Sequence, residues 1–452
     1  MKIHLLRLRN KLLNSFWFLP LLLALLAGVA AFWSIGIDHA LGRDWLDGEF
    51  GWVWSGGAEG ARGVLSVIAG SLMTVVSIVF SLTISTLAQV SSHFGPRVLR
   101  QFTSDRVVQF TLGTFIATFV YCLLVLRSIR SAEEVVFIPY LSVNIGMALA
   151  LGSLAILIYY IHHIALIIQA EPLISDVGQD IQRALTQLFP ESIGEPVDDQ
   201  TDTSLRPSDA RQWDCARTLA ATDNGYLQAI DDERLLELAV EHDVILKLLR
   251  RPGDFVTTGS VLAWVLPNER ASVAAVDQLR SCFIVGLQRT PDQDVLYLLQ
   301  QLVEIAARAL SPGINEPFTA LIAIDWLGAA LRAVAGRELP APSRQDANGT
   351  LRLLTRTFDF EEMTHAVFDQ IRIYGAASPE VMLRLLGAIA NIAPALRREQ
   401  DRRVLIAYVE RIGADGEREI ANPTDRGCMA VKVRDTLRAL RRKDDTGPTG
   451  SG

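Results

Sequence analysis

Charge is distributed very unevenly along this chain. Within the first 170 positions, four stretches contain no Asp, Glu, Lys or Arg: 14–37, 63–96, 107–126 and 135–170. A helix rises about 1.5 Å per residue, so roughly 20 residues cross a hydrocarbon core of ~30 Å. Each stretch is long enough to span. The second and fourth hold 34 and 36 residues, or about 50 Å if helical throughout, so they are expected to project beyond the bilayer into a cytoplasmic neck. The chain is 50% hydrophobic over 452 residues. Its remaining ~280 residues have the charge density of a soluble chain, enough for one or two domains.

The basic, then apolar, start has the outline of a signal peptide. The apolar run is long and three more follow, so it reads as a retained first helix. Orientation follows the Lys/Arg bias of short loops. Lys2, Arg7, Arg9 and Lys11 precede the first span, and Arg97, Arg100 and Arg106 follow the second. Those seven outweigh Arg43, Arg62, Arg127 and Arg130 on the other side. The expected protein is therefore a multi-pass protein of the bacterial inner (plasma) membrane with both termini cytoplasmic. Trp45, Trp52 and Trp54, with Tyr159 and Tyr160, suit interfacial positions. Cys122, Cys215, Cys282 and Cys428 are scattered without a CxxC pair and suggest neither a disulfide framework nor a zinc site. A net charge of -7 without an extended basic run argues against nucleic acid.

The expected organisation is a four-helix transmembrane domain (1–170) and a linker helix with an acidic flexible linker (171–212). A small β-rich module (213–288), a mostly helical cytoplasmic domain (289–443) and a disordered tail (444–452) follow. The fold class is thus an α-helical membrane domain plus a mixed α/β, mostly helical cytoplasmic domain. Helical spacing of Ile174, Val177, Ile181, Leu185 and Leu188 supports the linker helix. Helices are read at 291–310, 317–334, 361–374, 379–396, 402–412 and 425–442, with a strand pair around 351–360.

The second charge-free stretch carries a regular polar pattern. Ser66, Gly70, Thr74, Ser77, Ser81, Ser85, Gln89 and Ser92 recur every three or four residues, so they form one stripe along a helix. Thr83 and Thr86 depart from it and broaden it. Two readings compete. Small and hydroxylated residues let helices pack closely and bond across an interface. The same groups, uncharged, can replace part of an ion's hydration shell without trapping it, which makes Thr74, Ser77, Ser81, Ser85 and Gln89 pore-lining candidates. Arg97 and Arg100 would sit at the cytoplasmic mouth, where they would attract anions; arginines beside a span also simply meet lipid phosphate. No span holds a buried Asp, Glu, Lys or Arg, which disfavours an ion-coupled pump. Gly146, Ala150 and Gly152 suit close helix contact, Asn144 an interhelical hydrogen bond, and His162 and His163 the cytoplasmic end of the fourth span.

In the second half, "RTPDQD" reads as a helix start with Thr290 as N-cap, Pro291 first and Gln293 closing a capping box. In "RALSPGINEPFTALIAIDWL", Ser311-Pro312-Gly313 ends one helix and Asn315 caps the next. Alternatively, these helix starts with Arg289, Arg308, Asn315 and Glu316 form an anion or ligand site. No nucleotide loop, zinc triad or nucleophile elbow is present, so neither enzyme activity nor a cofactor is expected.

With "RTPDQD", "FGPRVLRQF" and four spans before a long second part, "SPGINEPFTA" makes the chain resemble the predicted bacterial membrane proteins of domain-of-unknown-function family 2254. That family usually has Asp at the position of Glu316 and Ser at that of Gly95. The resemblance implies topology and no activity. "GYLQAID" and "PGDFVTTGSVLAWV" also look like half-motifs of lipoyl- or biotinyl-type barrels. Lys247 lies inside a strand-like run instead of at a hairpin tip, which rules against cofactor attachment.

The leading expectation is a symmetric homo-oligomer in the lipid bilayer that conducts a small ion passively, with a cytoplasmic regulatory domain. The alternative is a non-conducting, membrane-anchored sensor or scaffold whose cytoplasmic domain binds a ligand or protein.

Overall fold

The computed structural model describes residues 17–41, 57–95, 105–132, 135–167, 169–188, 210–337, 339 and 342–442. The chain divides into two compact units, Met1–Pro172 and Leu173–Gly452.

The first unit is built on four long helices: α1 (Phe18–Leu41), α2 (Ala58–Phe94), α3 (Arg106–Ser128) and α4 (Tyr140–Ile167). All are long and apolar enough to cross a membrane, and a helix is the form in which a lipid-embedded backbone satisfies its own hydrogen bonds. α3 is central and packs against the other three. Glycines permit two close approaches. A Cβ on Gly113 of α3 would lie 2.7 Å from Leu23 and 3.0 Å from the Pro20 backbone of α1. One on Gly146 of α4 would lie 3.1 Å from Leu65 of α2, whereas Gly152 faces open space. α2 ends where Gly95 takes φ 96°, a left-handed value that suits glycine. A short antiparallel pair, β1 (Arg130–Ala132) and β2 (Val135–Phe137), joins α3 to α4.

Hydrogen bonds tie this bundle at three levels. Near one end, Asp38 of α1 accepts from the backbone N–H groups of Leu141 (2.9 Å) and Ser142 (3.0 Å), and from the Ser142 hydroxyl (2.6 Å). It thereby places a carboxylate at the N-terminus of α4, where orphan donors and partial positive charge favour it. Ser34, Tyr121 and Ser142 continue that network. At mid-depth the hydroxyls of Thr118 and Ser153 lie 3.2 Å apart. Near the other end, Asp105 caps α3 through the N–H of Val107 (2.7 Å), and its second oxygen lies 2.8 Å from His163 Nε2 of α4.

The second unit is mixed. α5 (Ala170–Leu188) contributes Gly178, against which the Trp326 ring packs so closely that a Cβ would overlap it. Arg337 donates to the Leu185 carbonyl near the C-terminus of α5 at 2.8 Å. The strands are β3 (Arg217–Ala220), β4 (Gly225–Ile230), β5 (Ile245–Leu248), β6 (Phe255–Val256), β7 (Val261–Leu266), β8 (Phe283–Gly286), β9 (Ser343–Gln345) and β10 (Leu351–Leu354). They form a five-stranded sheet, order β3-β7-β5-β10-β9, and a three-stranded sheet, order β6-β4-β8. β10 runs parallel to β5, with Leu353 opposite Leu246. The β-rich part is therefore not confined to 213–288. Two of its strands arrive from beyond 342 because β10 completes the sheet over a shared core of Leu219, Leu246, Val265 and Leu353. Helices α6 (Asp232–Glu241) and α7 (Val273–Ser281) pack on these strands.

The helical remainder comprises α8 (Val295–Ala309), α9 (Pro317–Ala335), α10 (Phe360–Gly375), α11 (Pro379–Ile392), α12 (Glu399–Glu419) and α13 (Pro423–Arg441). α9 is also long and apolar enough to span a membrane, so five such helices exist among the described residues, one more than the four expected. α9 packs against α8, α10 and α11 within this unit.

Candidate functional site

The burial pattern of α2 is sharply sided. Leu65, Ala69, Leu72, Val79, Thr83, Thr86, Val90 and Phe94 are buried against the bundle. Thr74, Ser77, Ser81, Ser85 and Gln89 are all exposed, as are Ser66, Gly70 and Ser92. At about 100° per residue, the two sets lie on opposite sides of the helix. The stripe is thus not the face by which α2 packs within its own chain. Thr83 and Thr86, read from sequence as a broadening of the stripe, belong to the packed face. The Thr83 hydroxyl lies 2.6 Å from the phenol of Tyr160, which also donates to the Val79 carbonyl at 3.3 Å. Tyr160 is wholly buried within the bundle. Exposed Met73, Phe80 and Ile84 flank the stripe on one edge, and exposed Val67, Ile78 and Leu82 on the other.

Within the stripe, Thr74 and Ser77 donate to the carbonyls of Gly70 and Met73, one turn back on their own helix. Such back-bonding lets a hydroxyl face lipid cheaply. Ser81, Ser85 and Gln89 make no side-chain hydrogen bond among the described residues. Gln89 carries two donors and an acceptor that such local bonding does not use up. Arg97 and Arg100, the residues expected at the mouth, lie outside the described residues. Asn144, expected to bond across helices, donates to the Tyr140 carbonyl of its own helix at 2.8 Å.

The four ligand-site candidates of the second unit do not converge. Arg289 precedes α8 and Arg308 lies in its last turn, so the length of the helix, about 20 Å, separates them. Arg289 is engaged: its Nε and Nη2 donate to Asp294 Oδ2 at 2.9 and 2.6 Å, and its Nη1 to Gln300 at 2.8 Å. Asp294, not Thr290, is the N-cap of α8, accepting from the Tyr297 N–H at 3.0 Å. "RTPDQ" is not helical. Its Gln293 instead pairs with both backbone groups of Ile230 in β4, at 2.9 and 3.0 Å. The loop is thus recruited to the C-terminal end of β4, the central strand of its sheet, which outcompetes the local capping box. Asp294 is 1% exposed. Burial pushes its carboxyl above the usual range, against the opposing pull of Arg289. Gly253, at φ 98°, brings its backbone against the same carboxylate. Beside it, Arg251 forms a bidentate pair with Glu362 and stacks its guanidinium 4.2 Å over Phe358. "RRPGDF" and "RTPDQD" therefore meet around Asp294.

At the far end of α8, Arg308 pairs with Glu304 of its own helix at 3.4 Å. Asn315 does not cap α9. It takes a left-handed φ of 53°, and Glu316 occupies the N-cap position without a side-chain cap bond. Asn315 and Glu316 are exposed, and Phe318 beside them is 72% exposed. This end of the unit presents an exposed surface.

Lys247 lies in β5, its Nζ 5.3 and 5.4 Å from the rings of Trp213 and Trp264. One further cluster had no signal in local spacing. Tyr408 of α12 donates to Asp369 Oδ1 of α10 at 2.8 Å and lies 2.6 Å from His365 Nδ1. Burial opposes ionisation of Asp369, but hydrogen bonds from His365 and Tyr408 outweigh it and hold its carboxyl below the usual range. Among the described residues, no group of three His, Cys, Asp or Glu is placed to hold a metal ion.

Comparison with known proteins agrees with the membrane character of the chain. Uncharacterized proteins of Mycobacterium bovis and Mycobacterium tuberculosis are each 35% identical to it over 377 residues, covering 82% of this chain and 70% of theirs. No solved structure matches it. The family described as "Predicted membrane protein (DUF2254)" matches residues 13–391, from before α1 to within α11. On that match, and on the likeness to the mycobacterial proteins, the chain belongs to the DUF2254 family of predicted membrane proteins.

Proposed function

We propose that this protein is a homo-oligomer of the bacterial inner membrane in which copies of α2 surround a passive conduction path for a small ion. Thr74, Ser77, Ser81, Ser85 and Gln89 line that path, Arg97 and Arg100 stand at its cytoplasmic mouth, and the second unit is a cytoplasmic regulatory domain. α1–α4 cross the bilayer with both termini cytoplasmic. α9 is a core helix of the second unit; the 61% burial of its most apolar window supports that assignment.

One observation carries the reading: the hydroxyl stripe of α2 faces away from its own bundle, opposite Thr83 and Val79. A polar group left in hydrocarbon without a partner costs several kcal/mol. Water or another subunit on that side supplies partners for Ser81, Ser85 and Gln89. The apolar edges of the stripe give neighbouring copies a packing surface. Uncharged hydroxyls conduct without trapping.

The second reading is a non-conducting sensor or scaffold. The exposed Asn315, Glu316 and Phe318 favour it, as a surface for a protein partner. Purified protein of known subunit number in a planar bilayer separates the two. The first reading expects current that Ser81→Phe abolishes without changing the subunit number. Silence under every voltage, tension and salt tried leaves the scaffold.

A further inference from the structure

α1 and α3 run in the same direction, with Pro20 beside Gly113 and Gly28 beside Leu124. Between Gly28 and the C-terminal ends of both helices lies a groove of about 520 Å³. Its inner part is apolar, walled by Phe32 and Leu124 with Gly28 at the base, and its outer end carries His39, Arg127 and Arg130. From Gly28 to His39 is about 16 Å of helix, or roughly half a hydrocarbon core.

Both arginines are exposed and neither has a carboxylate partner among the described residues. His39 is held by stacking on Phe137, ring centroids 3.8 Å apart. Two guanidiniums without a carboxylate partner among the described residues, one in the last turn of α3 and one in β1, stand above a greasy slot and match one kind of molecule: a phosphate headgroup attached to an acyl chain. Guanidinium forks suit the phosphate oxygens of a lipid headgroup.

We propose that this groove is a binding site for an anionic phospholipid. Its phosphate lies between Arg127 and Arg130, and one acyl chain descends past Phe32 and Leu124 into the space left by Gly28. The site is built from α1, α3 and the β1–β2 pair and does not depend on whether α2 conducts.

Native mass spectrometry of the full-length protein, delipidated in mild detergent, tests this. Dioleoylphosphatidylglycerol, dioleoylphosphatidylcholine and inorganic phosphate are titrated separately. The wild type is expected to retain one phosphatidylglycerol per chain under activation that strips phosphatidylcholine. Arg127→Gln with Arg130→Gln weakens that retention about tenfold or more. Gly28→Leu, which fills the slot and keeps the charges, weakens it as well. Arg183→Gln with Arg434→Gln, an equal charge change elsewhere, leaves it at the wild-type level. Equal retention in the Arg127/Arg130 variant and the wild type overturns the proposal. So does displacement of the lipid by inorganic phosphate at equal concentration, which reveals an anion site only.

Discussion

The phenol of Tyr160 on α4 lies 2.6 Å from the Thr83 hydroxyl on α2, on the side of α2 opposite Ser81. That contact fixes how α2 is rotated within the bundle, and so which residues it turns outward. Tyr160→Phe removes a buried interhelical hydrogen bond and is expected to cost about 0.5–1.5 kcal/mol. Ser81→Ala, on the uncovered face, is expected to stay within about 0.5 kcal/mol of wild type. Thermal unfolding of the two variants in detergent, each dispersed to single chains, checks the difference. Equal losses would place Ser81 in the bundle core and reverse the assignment.

The same rotation sets the pattern of thiol accessibility. With Cys215 and Cys428 replaced by serine, cysteines at Ser77, Ser81 and Ser85 are expected to react with a membrane-impermeant thiol reagent in proteoliposomes. Cysteines at Val79, Thr83 and Thr86, on the packed face, are expected to stay unlabelled. Uniform labelling along the helix, or none at all, contradicts a water-facing stripe.

The stripe was legible because hydroxyls and large apolar residues segregate at the helical period, a pattern any single helix displays. What the period does not reveal is which face meets the rest of the protein. Thr83 and Thr86 resemble the stripe chemically, yet they pack inward, and Tyr160, 77 residues from Thr83, supplies the Thr83 hydroxyl with its partner. Asp38 and Asp105 read as loop charges near span ends. Each satisfies groups on α4 instead, at separations of 103 and 58 residues. β10 found its parallel neighbour β5 across a similar distance in sequence. In "RTPDQD" a local rule was available and lost: the backbone of Ile230 took the Gln293 amide, and the helix began later, at Asp294. Local chemistry located the elements; the pairings that position side chains are long-range.

Arg289 and Asp294 form an ion pair with side chains 18% and 2% exposed. Removing one member of a buried pair leaves an uncompensated charge, at a typical cost of about 3–5 kcal/mol. Asp294→Ala also deletes the cap of α8, about 1 kcal/mol more. Arg289→Met is expected to destabilise less, because the stranded carboxyl, already pushed up by burial, can protonate. A double-mutant cycle by urea unfolding, followed by tryptophan fluorescence, should give a coupling well above 1 kcal/mol. Additive losses would make the pair incidental.

Arg352 bridges Asp243 and Asp346, donating to them at 2.7 and 2.8 Å, while Arg270 also pairs with Asp243. The Arg352 hydrogen bond holds the Asp243 carboxyl below its usual range. For Asp346, burial pulls the other way, but Arg352 and the N–H groups of Thr350 and Asn348 prevail and lower it too. A carboxyl with a depressed folded-state pKa binds fewer protons folded than unfolded, so stability rises with pH across that window. The contribution is complete above the unfolded value of about 4 and fades as pH falls through the lower folded values. Arg352→Met removes the shared cause. Its urea midpoint is expected to lie below wild type at about pH 6, with the gap narrowing toward about pH 3 as both carboxyls protonate in either protein. A constant gap across that range would mean that Arg352 acts through packing of its stem alone, and that neither aspartate gains from its charge.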